Sequence, residues 1–160
     1  MERGFVRRAK EVEALMRDPR TAFVVVTTLE TAPSYEARFL ARSLVDRGMA
    51  LGAIVANRVL PAALASTAAS DSAAALAEAS DGDLATAVAG ELGVARTTTA
   101  SVLRQIATRF DDVALVAARE SDRRAELADL APVLLSVPWL AGDIHDLAGL
   151  GSLAGHLRNG

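Results

Sequence analysis

The sequence predicts an α/β fold, a parallel sheet of about three strands flanked by helices. Two short runs, Thr21 to Thr28 and Leu51 to Asn57, are almost continuously apolar and rich in β-branched residues. That is the pattern of strands covered on both faces in a parallel sheet. Between them, Ala37, Leu40, Ala41 and Leu44 recur at helical spacing over residues 34–47. Strand, helix, strand is a βαβ crossover and requires the two strands to run parallel. Pro132 to Val137 adds a third strand of the same character.

Each element can be justified in chain order. Residues 2–18 place Phe5, Ala9, Val12 and Met16 on one helical stripe beside Leu15, with Arg, Lys and Glu elsewhere, until Asp18-Pro19 ends the pattern. The first strand follows at Thr21. Gly48 stands where the next helix needs a left-handed C-terminal residue. After Pro61 the chain turns rich in Ala, Ser, Thr, Asp and Gly to about residue 100. Ser72 to Ala79 and Asp83 to Leu92 are helix-capable there, but Asp81-Gly82 and Gly90 interrupt them. Residues 62–100 are therefore expected as a mobile helical insertion within a single domain spanning residues 1–160. Helical spacing resumes with Val102, Ile106, Phe110, Val113 and Ala117 and continues with a charged face through Glu126. A last helix, about Asp146 to Leu157, opens behind an Asp able to cap it.

Composition narrows the function. The 160 residues are 51% hydrophobic, enough for one core. A net charge of −3 gives no general attraction to nucleic acid or anionic membranes, and 4% aromatic residues provide few stacking surfaces for single strands. The chain holds no cysteine, which removes disulfides, thiolate metal sites and a cysteine nucleophile. No apolar run approaches the roughly 20 residues needed to span a bilayer, so a soluble cytoplasmic protein without an integral membrane segment is expected. The basic set Arg3, Arg7, Arg8, Lys10, Arg17 and Arg20 is diluted by Glu2, Glu11, Glu13 and Asp18 and reads as a solvated helix face. Asp143, His145 and Asp146 read as capping and surface groups, and no metal ligands are assigned. There is no Gly-x-Ser-x-Gly elbow and no other assignable catalytic residue.

Lys10 is the one lysine of the chain and stands in Arg8-Ala9-Lys10-Glu11 without a glycine loop before it. A P-loop needs Gly-x-x-x-x-Gly-Lys-Ser/Thr, whose backbone N–H groups, Lys and hydroxyl hold phosphates and magnesium. P-loop hydrolysis by this polypeptide alone is therefore excluded. What remains are two strand ends. Ile54-Val55-Ala56-Asn57-Arg58-Val59-Leu60-Pro61 and Ser136-Val137-Pro138-Trp139-Leu140-Ala141-Gly142-Asp143-Ile144-His145-Asp146-Leu147 fall where ligands sit in open parallel sheets, beyond the carboxyl ends of the strands.

The ordered series Asp18-Pro19, Phe23 to Thr28, Tyr35-Glu36-Ala37-Arg38, Asn57 to Pro61, and Val137-Pro138 followed by Gly142 to Leu150 resembles the C-terminal portion of the arsenite-transporter and tail-anchored-protein-targeting ATPase family. The likeness extends over roughly residues 5–157. It implies a SIMIBI-type P-loop NTPase fold and a dimer that opens and closes with hydrolysis of ATP to ADP in the presence of magnesium. Carried over, Asn57 contacts adenine, and Pro138, Trp139 and Leu140 complete the base pocket. An Asn amide offers the donor and acceptor that the adenine edge needs, yet Asn at a strand end is also a common turn former. Trp139 reads equally as an aromatic packed in the core. The family's P-loop, switch regions and catalytic Asp would lie before residue 1, and magnesium would be held there too. Its zinc-binding Cys-x-x-Cys pair has no counterpart in residues 62–101, and Leu29 precedes Glu30 where relatives often carry Pro.

The expected function is accordingly the adenine-pocket part of an anion-transporting or targeting-type ATPase, whose P-loop half lies outside this chain. The alternative is a non-catalytic module that docks onto a complete ATPase partner, as a homo- or heterodimer, or onto a client protein. Both imply exposed apolar area where a partner packs.

Overall fold

A computed structural model describes residues 2–140 and 142–159, so the Ala141 of the last strand-end motif lies outside the described residues. Two compact units divide the chain, Met1–Val59 with Asp122–Gly160, and Leu60–Ser121.

The first unit holds the sheet. Strand β1 (Ala22–Thr27), strand β2 (Ala50–Val59) and strand β3 (Leu134–Pro138) are parallel and lie side by side in the order β1-β2-β3. Helix α1 (Glu2–Met16) precedes β1, and helix α2 (Thr31–Asp46) makes the βαβ crossover. Helix α6 (Leu147–Asn159) packs on β3. The α/β class and parallel sheet anticipated from the apolar runs are therefore present. β2 is longer than Leu51 to Asn57, because it continues through Arg58 to pair Val59 with Pro138.

One core lies on the α2 side of this sheet. Val25, Leu51, Ile54 and Ala56 from the strands meet Ala37, Ala41 and Leu44 from α2. Leu127 joins them from the C-terminal end of helix α5 (Arg96–Ala128). Gly48, at φ +70°, closes α2 in a left-handed turn. There the Gly48 and Met49 N–H groups donate to the carbonyls of Val45 and Leu44, a Schellman ending. Before β1, Asp18 Oδ1 accepts the Arg20 N–H at 2.8 Å. The Arg20 guanidinium beside it holds the Asp18 carboxyl below its ordinary value.

Three expectations are corrected. β1 is not covered on both faces: Val25 and Thr27 are buried, but Val24 and Val26 are 57% and 63% exposed. The run of valines reads as fully buried because each has the chemistry of an interior residue, yet no described element lies over the alternate positions. The apolar stripe of α1 is likewise uncovered at Phe5, Val12 and Leu15, and only Met16 packs against the core. Trp139, read as a base contact or a core aromatic, is 60% exposed and so is not a core residue.

The second unit is helical. A 3-10 turn (Ala62–Ala65) leads to helix α3 (Thr67–Ala79) and helix α4 (Asp83–Leu92), and α5 supplies its remaining helix as far as Ser121. Residues 62–100 thus form defined helices whose small side chains, among them Ala69, Ala73, Ala85, Ala89 and Ser80, are buried. Gly93, at φ +65°, ends α4. Arg96 and Arg104 both reach Asp81, the first at its carbonyl and the second at its carboxylate.

Ile54 is wholly buried, whereas Val26 lies on the uncovered face. Urea unfolding should show Ile54→Ala losing about 2–5 kcal/mol and Val26→Thr less than about 0.5 kcal/mol. Equal losses would mean that the outer face of β1 is covered in solution.

Candidate functional site

The carboxyl ends of β1, β2 and β3 gather the residues singled out in the sequence. Asn57 pairs with Val137, and Val59 pairs with Pro138, so Asn57, Pro138 and Trp139 meet at one end of one strand pair. The Trp139 N–H donates to the Val59 carbonyl at 3.1 Å and extends that pairing past Pro138. Leu140 follows outside any strand.

Between Asn57 and Val59 the register slips by one residue, and Arg58 is the extra residue. It has φ +61°, the one non-glycine residue with positive φ among those described. A bulge commonly takes a left-handed residue, but for Arg this costs on the order of 1 kcal/mol. The Asn57 carboxamide compensates locally, its Oδ1 accepting the Arg58 N–H at 3.0 Å. The Asn57 side-chain oxygen is thus already engaged by the backbone. The Arg58 guanidinium lies over the Trp139 indole, 4.4 Å from the ring centre.

On its other side Asn57 lines a cleft of about 410 Å³ between β1 and α2. Val25, Val26, Pro33, Ala37 and Leu40 make its walls apolar, and Thr27, Thr28 and Glu36 bring polar groups. The Thr28 hydroxyl is buried without a hydrogen-bond partner. An orphaned group of this kind costs about 1–3 kcal/mol. Pro138, Trp139 and Leu140 do not line this cleft. The four residues assigned to a base pocket therefore share one end of the sheet but not one enclosed cavity.

The connection from β1 to α2 is tied to Arg123 on α5. Its guanidinium donates to the Leu29 carbonyl at 2.7 Å and to Thr31 Oγ1 at 2.9 Å, fixing the β1–α2 connection. Arg124, on the same helix, donates to Ser136 Oγ on β3 at 2.8 Å. Arg38 of α2 pairs with Glu126.

Thr28, Arg58 and Arg123 were not assigned roles from the sequence. The doubled Thr27-Thr28 at a strand end was a signal for the first. Arg58 had none, because a left-handed bulge depends on the neighbouring strand. Arg123 looked like one of many charges on a solvated helix face.

The second unit offers a different surface, an apolar groove of about 620 Å³ lined by Leu64, Val102, Ile106, Phe110 and Val113 with Gln105 and Arg109. Its chemistry suits a hydrophobic segment better than a nucleotide. Asp143 and His145 are joined by a contact of 2.9 Å between His145 Nδ1 and the Asp143 carbonyl, and Asp146 caps α6 by accepting the Gly149 N–H at 2.7 Å. Among the described residues no group of three or more His, Cys, Asp or Glu side chains is placed to hold a metal ion, and no helix is long and apolar enough to cross a membrane. No protein-family model matches the chain, and a search of curated proteins finds no match.

Arg123→Ala removes two charge-assisted hydrogen bonds and should cost about 1.5–3 kcal/mol in urea unfolding, with Arg123→Lys recovering part of it. A loss below about 0.5 kcal/mol would show that the β1–α2 connection does not depend on this side chain.

Proposed function

We propose that this chain is the nucleotide-base end of an ATPase of the arsenite-transporter and tail-anchored-protein-targeting type. A P-loop-bearing half, on the same polypeptide or another, would pack on β1. The observation that carries this reading is the unfinished state of the sheet on that side. β1 is an edge strand, and its Val24 and Val26 are exposed. Parallel sheets occur almost only where both faces are covered, so a three-stranded parallel sheet with apolar side chains in the open is incomplete by itself. One further strand with its covering helix would supply what both features lack.

The residues present fit an adenine ring and not the rest of ATP. Asn57 supplies an amide, and Trp139 an exposed aromatic surface. Lys10 stands on α1 rather than behind a glycine loop, and among the described residues no group of three or more His, Cys, Asp or Glu side chains is placed to hold a metal ion. ATP hydrolysis, which would drive a conformational cycle in the assembled protein, is therefore allotted to the other half, and no step of it to these side chains.

A second reading is favoured by α1, whose Phe5, Val12 and Leu15 are exposed together. Here the chain is a docking module for a complete ATPase partner or a client and binds no nucleotide.

Calorimetric titration of the purified chain with adenosine and with ATP plus magnesium separates the two. The base-site reading expects weak binding of both ligands with similar affinity, reduced about two- to tenfold in Asn57→Ala. Absence of heat with either ligand would remove the base site and leave the docking module.

A further inference from the structure

We propose that helix α1 pairs with α1 of a second copy of this chain, antiparallel and through the stripe of Phe5, Ala9, Val12 and Met16. The contact is separate from the nucleotide-driven dimer that the resemblance implies, and it does not rest on the nucleotide-base reading. It gives α1 an occupant other than the ATPase or client of the second reading. Every residue from Phe5 to Leu15 is exposed, so this length of helix stands clear of its own unit on all sides. A helix of 15 residues is marginal in water by itself. Its apolar stripe therefore calls for a covering surface, and two features of α1 select another α1.

The first is how the helix is anchored. Met16 packs against the core, and the Arg17 guanidinium donates through Nε to the Arg47 carbonyl at 3.1 Å, so α1 is held at its C-terminal end. An antiparallel pair sets the two anchored units at opposite ends, whereas a parallel pair crowds them at one end. The second is charge. Arg7, Arg8 and Lys10 precede Glu11 and Glu13 along the helix. In a two-fold antiparallel pair centred between residues 10 and 11, Phe5 faces Met16 of the second copy and Ala9 faces Val12. Arg8 then flanks Glu11 of the second copy, twice over, while a parallel pair would set Arg8 against Arg8 and Glu11 against Glu11. The helix dipoles favour the same antiparallel arrangement. Glu11 and Glu13 already pair within the helix, with Arg7 at 3.7 Å and Arg17 at 3.1 Å, but these exposed contacts hold them weakly. Among the described residues Arg8 and Lys10 have no ion-pair partner.

Sedimentation of the whole chain over a concentration series is the first readout. One helix pair is a small interface, so a dimer with a dissociation constant on the order of 10 μM is expected. Val12→Asp should weaken it at least about tenfold and, because Val12 is exposed in the single chain, leave urea unfolding of the dilute chain unchanged. Arg8→Glu and Glu11→Arg should each weaken it about two- to fivefold. An equimolar mixture of those two variants should regain most of the wild-type affinity, since each supplies the charge that the other lacks. Orientation is read by cross-linking, which a cysteine-free chain makes clean. A short bis-maleimide should join Ala9→Cys to its second copy, close to the two-fold axis. It should not join Gly4→Cys, which in an antiparallel pair lies about 20 Å from its equivalent.

A monomer at every concentration would overturn the proposal. Association that survives Val12→Asp and is lost in Val26→Thr would also overturn it, by assigning the contact to β1. Cross-linking through Gly4→Cys as readily as through Ala9→Cys would overturn the antiparallel arrangement. None of these outcomes bears on the adenosine titration, so the pairing of α1 and the base site stand or fall separately.

Discussion

The sheet depends on β2. It is the strand paired along both edges, with Ile54 and Ala56 wholly enclosed, and each neighbour is aligned through it. β1 has no other sheet partner, and α2 is held by the same core residues that β2 presents. The site inherits its geometry from this strand as well. Because β2 continues beyond Asn57 as a bulge and then resumes pairing, the Asn57 amide, the Arg58 guanidinium and the Trp139 indole are set by a single backbone irregularity. A straight continuation would have no extra residue at Arg58, and with it no reason for a left-handed backbone there.

The sequence disclosed what local chemistry controls and concealed what neighbours control. The spacing of Ala37, Ala41 and Leu44 in α2, the glycine at its C-terminus and the capping Asp146 are decided within a few residues and are where the pattern put them, whereas Leu40 of the same stripe is exposed. The valines of β1 illustrate the opposite case. Their side chains carry no information about whether a covering element exists, so Val24 and Val26 look like interior residues in the sequence and stand exposed in the fold. Asn57, Pro138, Trp139 and Leu140 were legible as strand-end residues, and the shared end of the sheet follows from parallel pairing. Their separation by the Arg58 bulge was not legible, because register is a property of two strands together.

Residues 62–100 show how alanine misleads. Low side-chain bulk gives helix propensity but little apolar area, and such a stretch reads as weakly anchored. α3 and α4 nonetheless bury Ala69, Ala73, Ala85 and Ala89. Small side chains permit close approach of helix backbones, so packing can be tight where each residue contributes little. Asp81 adds a polar anchor by receiving both Arg96 and Arg104, although such exposed pairs stabilise by less than about 1 kcal/mol each.

On the proposed reading, the outer edge of β1 and the base-binding end of the sheet share a wall. Val26 and Asn57 line one cleft. An element packing along β1 would cover the valines and pair the free edge of the strand. It would also reshape the cleft that Asn57 lines, to which Arg58 and Trp139 do not contribute. Base recognition and partner docking would then meet at a single side chain, the Asn57 amide, whose Oδ1 is already tied to the Arg58 backbone. A nucleotide held by such an end needs its phosphates bound elsewhere, and the free edge of β1 is where the fold leaves room for the backbone that would hold them.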